Sequence, residues 1–218
     1  MISRRSVLAG MSGLAGGLLV PRFVRALPVP EDGRLAFRIL RKGDVIGRHA
    51  LAFARDGENL TVTIAVEIEV TFGPIRFYRY RHDATERWLG GDVVSLQART
   101  DDNGDAFKVT MSRTEEGFNV VGATGDYLAP PDTHPATHWN RRQLEGPMVN
   151  TQTGELMRPA IAELGSEPVA RVDGAQMRAT RYNLSGDARF DIWYSERGDW
   201  AGLSFKGGDG AEIRYVAL

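Results

Sequence analysis

The chain of 218 residues contains no cysteine. That absence removes disulfides, thiol catalysis, thiolate metal sites and lipid attachment through an N-terminal cysteine. Lysine is nearly as scarce, since Lys42, Lys108 and Lys206 are the only three. The apolar run at residues 7–20 falls short of the ~20 residues that an ordinary transmembrane helix needs. It also holds Gly10, Gly13, Gly16 and Gly17, which weaken a helix. No low-complexity linker and no fixed-period repeat divides the chain. Ser185 and Ser195 lack the glycine-x-serine-x-glycine setting of a nucleophile elbow. The run Gly207-Gly208-Asp209-Gly210 precedes a strand pattern, not the helix that a phosphate-cradling loop requires.

What is present begins with a leader. Arg4 and Arg5 stand just before the short apolar run, and Val24-Arg25-Ala26 offers a small-x-small cut. A basic start, a short apolar middle and a small-residue exit make an export signal. Ser3-Arg4-Arg5-x-x-Leu8 resembles the twin-arginine leader, with Val7 and Ala9 departing from its usual Phe and Lys. The expected division is a signal peptide at 1–26, cleaved after Ala26, and a single antiparallel β domain at 27–218. The competing reading of the same stretch is an uncleaved amphipathic anchor. The expected partners during export are the twin-arginine machinery and signal peptidase, and the expected location is the periplasm.

Loss of the four leader arginines takes the net charge from −1 to about −5. Phosphate binding needs a basic surface, so nucleic acid is not an expected partner. Such a charge suits an ordinary soluble domain. Without disulfides, an exported domain of this length must be held by its core alone.

Most of the mature chain alternates apolar and polar residues. The clearest run places Leu60, Val62, Ile64, Val66, Ile68, Val70 and Phe72 on one face of a strand, since side chains in a strand have period two. At ~3.3 Å per residue this strand exceeds 40 Å, which calls for curvature or a bulge. Further strands are expected at 34–41, 45–54, 75–88, 93–100, 106–112, 117–125, 168–172, 176–184, 188–194, 200–205 and 211–218. Asn103-Gly104 marks a tight hairpin, because both residues accept positive φ. The expected class is all-β: an antiparallel meander forming a curved sheet or incomplete barrel, with one short helix at about 135–145. Pro135 suits the first helical turn and Gly146-Pro147 a stop.

Two regions carry candidate chemistry. The strand at 75–88 places Tyr78, Tyr80, His82, Ala84, Glu86 and Trp88 on one face. Such a face suits a cavity wall with a few polar groups, or a sheet face whose polar tips reach water. Residues 127–154 break the alternation and gather His134, His138, Trp139, Asn140, Asn150, Thr151, Gln152 and Thr153. The four-residue spacing of His134 and His138 is that of a metal pair on a helix, but Pro135 stands where a zinc protease needs glutamate and no thiolate is available. Asp101, Asn103 and Asp105 have calcium-loop spacing, but Ala106 stands where that loop needs glycine. No metal or cofactor is expected. The 150–154 loop either bonds its own backbone or offers amides and hydroxyls to a ligand.

The residues Glu86-Arg87-Trp88, Thr100-Asp101-Asp102-Asn103-Gly104, Trp139-Asn140, Asn150-Thr151-Gln152-Thr153-Gly154, and Trp193-Tyr194 with Gly198-Asp199-Trp200 follow one another along the chain. In this order the sequence resembles a family of exported bacterial proteins known only as a domain of unknown function. It also looks distantly like the curved antiparallel sheets of periplasmic lipid and lipoprotein carriers, a likeness of architecture alone.

The favoured reading is a non-enzymatic envelope module that holds an apolar or amphipathic molecule, or a protein segment. Its expected site is Tyr78, Tyr80, His82, Glu86, Trp88, His138, Trp139, Asn140 and the 150–153 loop, with Trp139 in a lid; the competing reading has the helix plug one end of the barrel, with Trp139 in the core. The alternatives are a hydrolase-like enzyme using Glu86, His82 or His138, and an assembly protein acting through a sheet edge. Replacing Arg4 and Arg5 together by lysine should leave a full-length precursor in the cytoplasm. Fractionation and immunoblotting check this, and normal processing of the variant would remove the twin-arginine reading.

Overall fold

The computed structural model describes residues 27–218, so the leader and cleavage expectations lie outside the described residues. Eight strands run as an antiparallel meander: β1 (Arg34–Arg41), β2 (Asp44–Asp56), β3 (Asn59–Phe72), β4 (Ile75–Leu89), β5 (Asp92–Asp102), β6 (Asp105–Arg113), β7 (Phe118–Gly122) and β8 (Gly125–Ala129). A connector follows at 130–159. It carries the two-residue strands β9 (His134–Pro135), β10 (Met148–Val149) and β11 (Leu156–Met157), and a 3-10 helix at Arg141–Leu144. Five more strands complete the chain: β12 (Ala160–Ala170), β13 (Gln176–Ser185), β14 (Phe190–Ser195), β15 (Trp200–Lys206) and β16 (Glu212–Ala217).

The thirteen longer strands form one sheet, ordered β12-β13-β14-β15-β16-β1-β2-β3-β4-β5-β6-β7-β8. β16 pairs with β1, from Phe37 opposite Ala217 to Arg41 opposite Ile213. The first and last strands therefore lie inside the sheet, and β8 and β12 are its two open edges. The all-β antiparallel meander expected from the alternation is what the chain forms.

Local chemistry explains the elements. On β3, Leu60, Val62, Ile64 and Val66 are buried while Thr63 and Glu67 face water. Full burial of such aliphatic side chains is worth roughly 1.5–3 kcal/mol each. The curvature expected of this long strand is relieved on its partner: the β3–β4 register slips between Val70 and Thr71, leaving Phe77 as the extra residue. At the β5–β6 turn Asn103 and Gly104 have φ of 55° and 105°, and Gly104 N donates to Asp101 Oδ1 at 2.8 Å.

Three expectations need correction. No α-helix covers 135–145. Pro135 is bridged to Val149, His138 has φ of 72°, and Asn140 is extended. Only Arg141–Leu144 coils, as one 3-10 turn with Asn140 Oδ1 accepting from Arg142 N. The strand expected at 117–125 stops at Gly122 as β7, and after a turn the chain returns as β8 (Gly125–Ala129), a strand that the alternation did not show. The strand expected at 168–172 begins earlier, at Ala160, because its exposed residues carry no period-two signal.

The sheet curls around the connector. Glu86 on β4 and Tyr194 on β14 are separated by five intervening strands. Across a flat sheet that is ~29 Å, at ~4.8 Å per strand. Yet Trp139 Nε1 donates to Glu86, and the neighbouring His138 O accepts from Tyr194 Oη at 2.7 Å. Adjacent Cα atoms lie only ~3.8 Å apart, so the two arms of the sheet must close on this stretch.

Where β2 meets its neighbours the backbones crowd. The β1–β2 register slips beside Gly47, leaving Ile46 as the extra residue. A Cβ at Gly47 would sit 2.1 Å from the Glu67 carbonyl oxygen. Gly47→Ala should therefore destabilise the fold by about 1–3 kcal/mol, as overpacking does, and urea unfolding should show the lowered midpoint.

Candidate functional site

Two buried clusters meet under the curl. The first is centred on Glu86. The alternation of β4 turns it inward, and its exposure is 0%. Its Oε2 accepts from the indole N–H of Trp88 at 2.7 Å and of Trp139 at 2.8 Å. Its Oε1 accepts from Thr137 Oγ1 at 2.5 Å. Burial raises the pKa of this carboxyl, and the three donors partly offset that rise. Trp139 stacks edge-on against Trp88 and Phe53, with ring centroids 5.2 and 5.3 Å apart.

The second cluster lines a cavity of about 430 Å³. β4 supplies Tyr78, Tyr80 and His82, and the connector supplies His138, Asn150, Thr151 and Gln152. β2 adds His49, and β16 adds Tyr215. Phe190 and Phe205 complete an aromatic side. His82 is held between two hydroxyls, with Nδ1 2.8 Å from Thr100 Oγ1 and Nε2 3.3 Å from Thr151 Oγ1. Tyr80 Oη donates to Gln152 Oε1 at 3.2 Å, and Gln152 Nε2 donates to Asp102 Oδ2 at 3.0 Å.

The loop that carries Asn150–Gln152 is fixed by its own backbone. Asn150 Oδ1 accepts from Gln152 N and Thr153 N at 2.9 and 3.3 Å, the local side-chain bonding typical of asparagine turns. It docks on β7 through two facing glycines. A Cβ on Gly122 would lie 2.7 Å from Thr153 O, and one on Gly154 would lie 2.9 Å from the Gly122 Cα. Tyr127 Oη then donates to Gly154 O at 2.7 Å.

The imidazoles around the cavity are neutral at pH 7. Burial lowers His82 and His138 to about 4, and lowers His49 well below the ordinary value, with help from its imidazole neighbours His138 and His82. His134 is also lowered to about 4 by burial. Among the described residues, no group of three or more histidine, aspartate or glutamate side chains is placed to hold a metal ion.

The twelve residues singled out in the sequence thus divide. Tyr78, Tyr80, His82, His138, Asn150, Thr151 and Gln152 line the cavity. Glu86, Trp88 and Trp139 form the neighbouring clamp. Asn140 caps the 3-10 turn, and Thr153 Oγ1 accepts from Glu155 N at 3.3 Å. Trp139, read as part of a lid, is instead core at 1% exposure, because its indole N–H is needed by Glu86. Sequence reasoning missed His49 and Tyr215. The signal for His49 was there: period two places it on the face of Leu51 and Phe53, a ring nitrogen on an apolar stripe.

The clamp makes a measurable claim. Trp139→Ala should cost about 3–5 kcal/mol of stability. Trp139→Phe removes only the shared N–H and pyrrole ring, and Glu86→Leu removes the acceptor. Their costs should not add, with a coupling between about 0.5 and 3 kcal/mol typical of contacting groups. Thermal melts of both single variants and the double variant measure it, and simple additivity would show the bond to be energetically empty.

The comparisons with known proteins follow the fold. No curated protein matches the chain. A solved structure, the crystal structure of a beta-barrel-like protein of domain of unknown function DUF1849 from Brucella abortus, superposes with a TM-score of 0.60. The identity is 9%, and the alignment covers 85% of this chain and 94% of that one. At that identity the likeness is one of fold. Residues 37–218, from β1 to the last residue, match the family described as domain of unknown function DUF6134, and the chain belongs to that family.

Proposed function

We propose that this chain is an exported, non-enzymatic binding module whose cavity holds an apolar or amphipathic small molecule. The observation that carries the reading is the cavity itself. Its volume of about 430 Å³ falls within the ~300–1,000 Å³ of small-molecule sites, which are largely apolar with a few placed polar groups. Its wall combines aliphatic and aromatic side chains (Ile64, Val66, Ile68, Phe190, Phe205 and the tyrosines) with uncharged imidazoles, the amides of the 150–152 loop and three ionisable groups, Asp102, Asp187 and Arg189. The export half of the reading rests on the leader pattern at Arg4-Arg5 and on the cut after Ala26. The twin-arginine machinery and signal peptidase are its implied partners, and the periplasm its implied location.

The enzymatic alternative draws less support. General acid–base work needs ionisable groups within hydrogen-bond reach of the reacting proton, at a pKa near the working pH. Glu86 is occupied by two indoles and a hydroxyl. His82 and His138, at about 4, are weak bases. The edge-assembly alternative has one observation in its favour, since β12 is exposed along almost its whole length. That edge, however, carries Glu163, Glu167, Pro168 and a register slip at Gly165, the features that discourage strand addition.

The test is native purification of the mature protein followed by mass spectrometry of what it releases on denaturation. The expected result is a defined small amphiphile in roughly stoichiometric amount. Ile68→Trp, which fills the cavity from β3, should remain folded and lose it. An empty wild-type protein that also fails to bind a fluorescent amphiphile would overturn the reading.

A further inference from the structure

The inner wall of the cavity contains a group that the fold itself does not use. His49 is 4% exposed, and both of its ring nitrogens lack a hydrogen-bond partner. Its ring is held on three sides by aromatic carbon: Phe37 on β1, Trp200 on β15 and Tyr215 on β16, with centroids 6.4, 5.1 and 5.8 Å away. On the connector, His138 packs against the same Trp200 at 5.5 Å, and its Nδ1 is likewise buried without a partner. Both residues line the cavity. A buried polar group without a partner forfeits its hydration and gets no bond in return. Two in one cavity wall mark a place where a ligand atom completes the bonding.

The charge around these rings decides the kind of ligand. The electrostatic neighbours that act on His49 are two other imidazoles, His138 and His82. The remaining titratable or charged groups on the wall are Tyr215 on β16, Tyr78 and Tyr80 on β4, Asp102 on β5, and Asp187 and Arg189 ahead of β14. The carboxylates of Asp102 and Asp187 lie elsewhere on the wall and are not among the groups that act on His49. A cationic head group seated at His49 would therefore lack an adjacent counter-charge, which is unfavourable in a buried site. An acid meets the opposite situation: the imidazole can take a proton and become its counter-ion, through a short charge-assisted bond.

Resting on the binding-module reading above, we propose that the occupant is an amphipathic monocarboxylic acid. Its carboxyl group sits at His49 and His138, and its apolar body lies along the Tyr80, Phe190 and Phe205 side of the cavity. The proton balance follows. An acid that arrives as carboxylate binds together with one proton from solvent, which stays on the imidazole–carboxylate pair. In the free protein His138 is neutral above about pH 4, and burial likewise holds His49 neutral well below the ordinary imidazole range. In the complex the carboxylate raises the proton affinity of the pair. Between those two values binding takes up a proton, so affinity weakens as pH rises through the upper one.

The experiment is calorimetric titration of the mature protein, stripped of ligand, with four probes of equal chain length. They are dodecanoic acid, dodecanol, dodecyltrimethylammonium and dodecyl phosphate, each below its critical micelle concentration. Measurements at pH 6 and pH 8, in two buffers of different ionisation heat, count the protons. The acid should bind at least tenfold tighter than the alcohol and the ammonium, with net proton uptake and tighter binding at pH 6. His49→Phe should abolish the preference for acid over alcohol while retaining alcohol binding. His138→Phe, on the connector, provides the same comparison if the first variant does not fold. Equal binding of acid and alcohol would overturn the proposal and assign the free nitrogens to water. Tighter binding of the ammonium or the phosphate would overturn it in favour of that head group. If none of the four probes binds, the binding-module reading itself falls, whereas binding without acid preference removes this inference alone.

Discussion

The fold depends on one buried carboxylate that has no cationic neighbour among its partners. Glu86 could be isolated from water only if its lone pairs were met, and two indoles and a threonine hydroxyl meet them. Trp88 lies on the same strand, but Thr137 and Trp139 belong to the connector. The carboxylate therefore binds a stretch of irregular backbone to β4 with a geometry that apolar packing alone would not specify. Buried polar networks are costly when incomplete and rigid when complete. Here the network is complete, and it fixes where the connector runs.

The connector then determines the shape of everything else. From Trp139 it turns through Asn140 into the 3-10 helix, where Gln143 Nε2 donates to Tyr194 Oη on the opposite arm. From there it returns along β10 and places the Asn150 loop on β7 through the Gly122–Gly154 contact. The space left between this path and the inner face of β2, β3 and β4 is the cavity. Its polar groups are consequently of two kinds. His82 is tied down by Thr100 and Thr151, whereas the His49 nitrogens are buried in the wall without a partner.

Much of this architecture was legible in the sequence because period two is a strong signal where one face is buried. The β3 run from Leu60 to Val66, the inward face of β4 and the Asn103-Gly104 turn all follow from residues alone. The exposed strand β12 did not announce itself, since without a buried face there is no alternation to read. The connector misled for a different reason. Pro135 and Gly146-Pro147 carry ordinary helix punctuation, but local preference lost to the long-range demand of Glu86 for the Trp139 indole. The cavity wall was half visible. Tyr78, Tyr80 and His82 were conspicuous on their strand, while His49 and Tyr215 acquire meaning only when β2 and β16 are brought beside them through β1.

The pairing of β1 with β16 has a consequence for the chain's history. Phe37 lies opposite Ala217, so this seam of the sheet joins the two described strands that are farthest apart in sequence. Until β16 is made, the meander from β1 to β8 and the return from β12 to β15 are two half-sheets, each exposing an edge destined for the interior. Contacts so distant in sequence are slow to form, because the entropy of closing the loop precedes any gain from pairing. The loss of β16 would accordingly part the sheet along this inner seam and not merely fray its border.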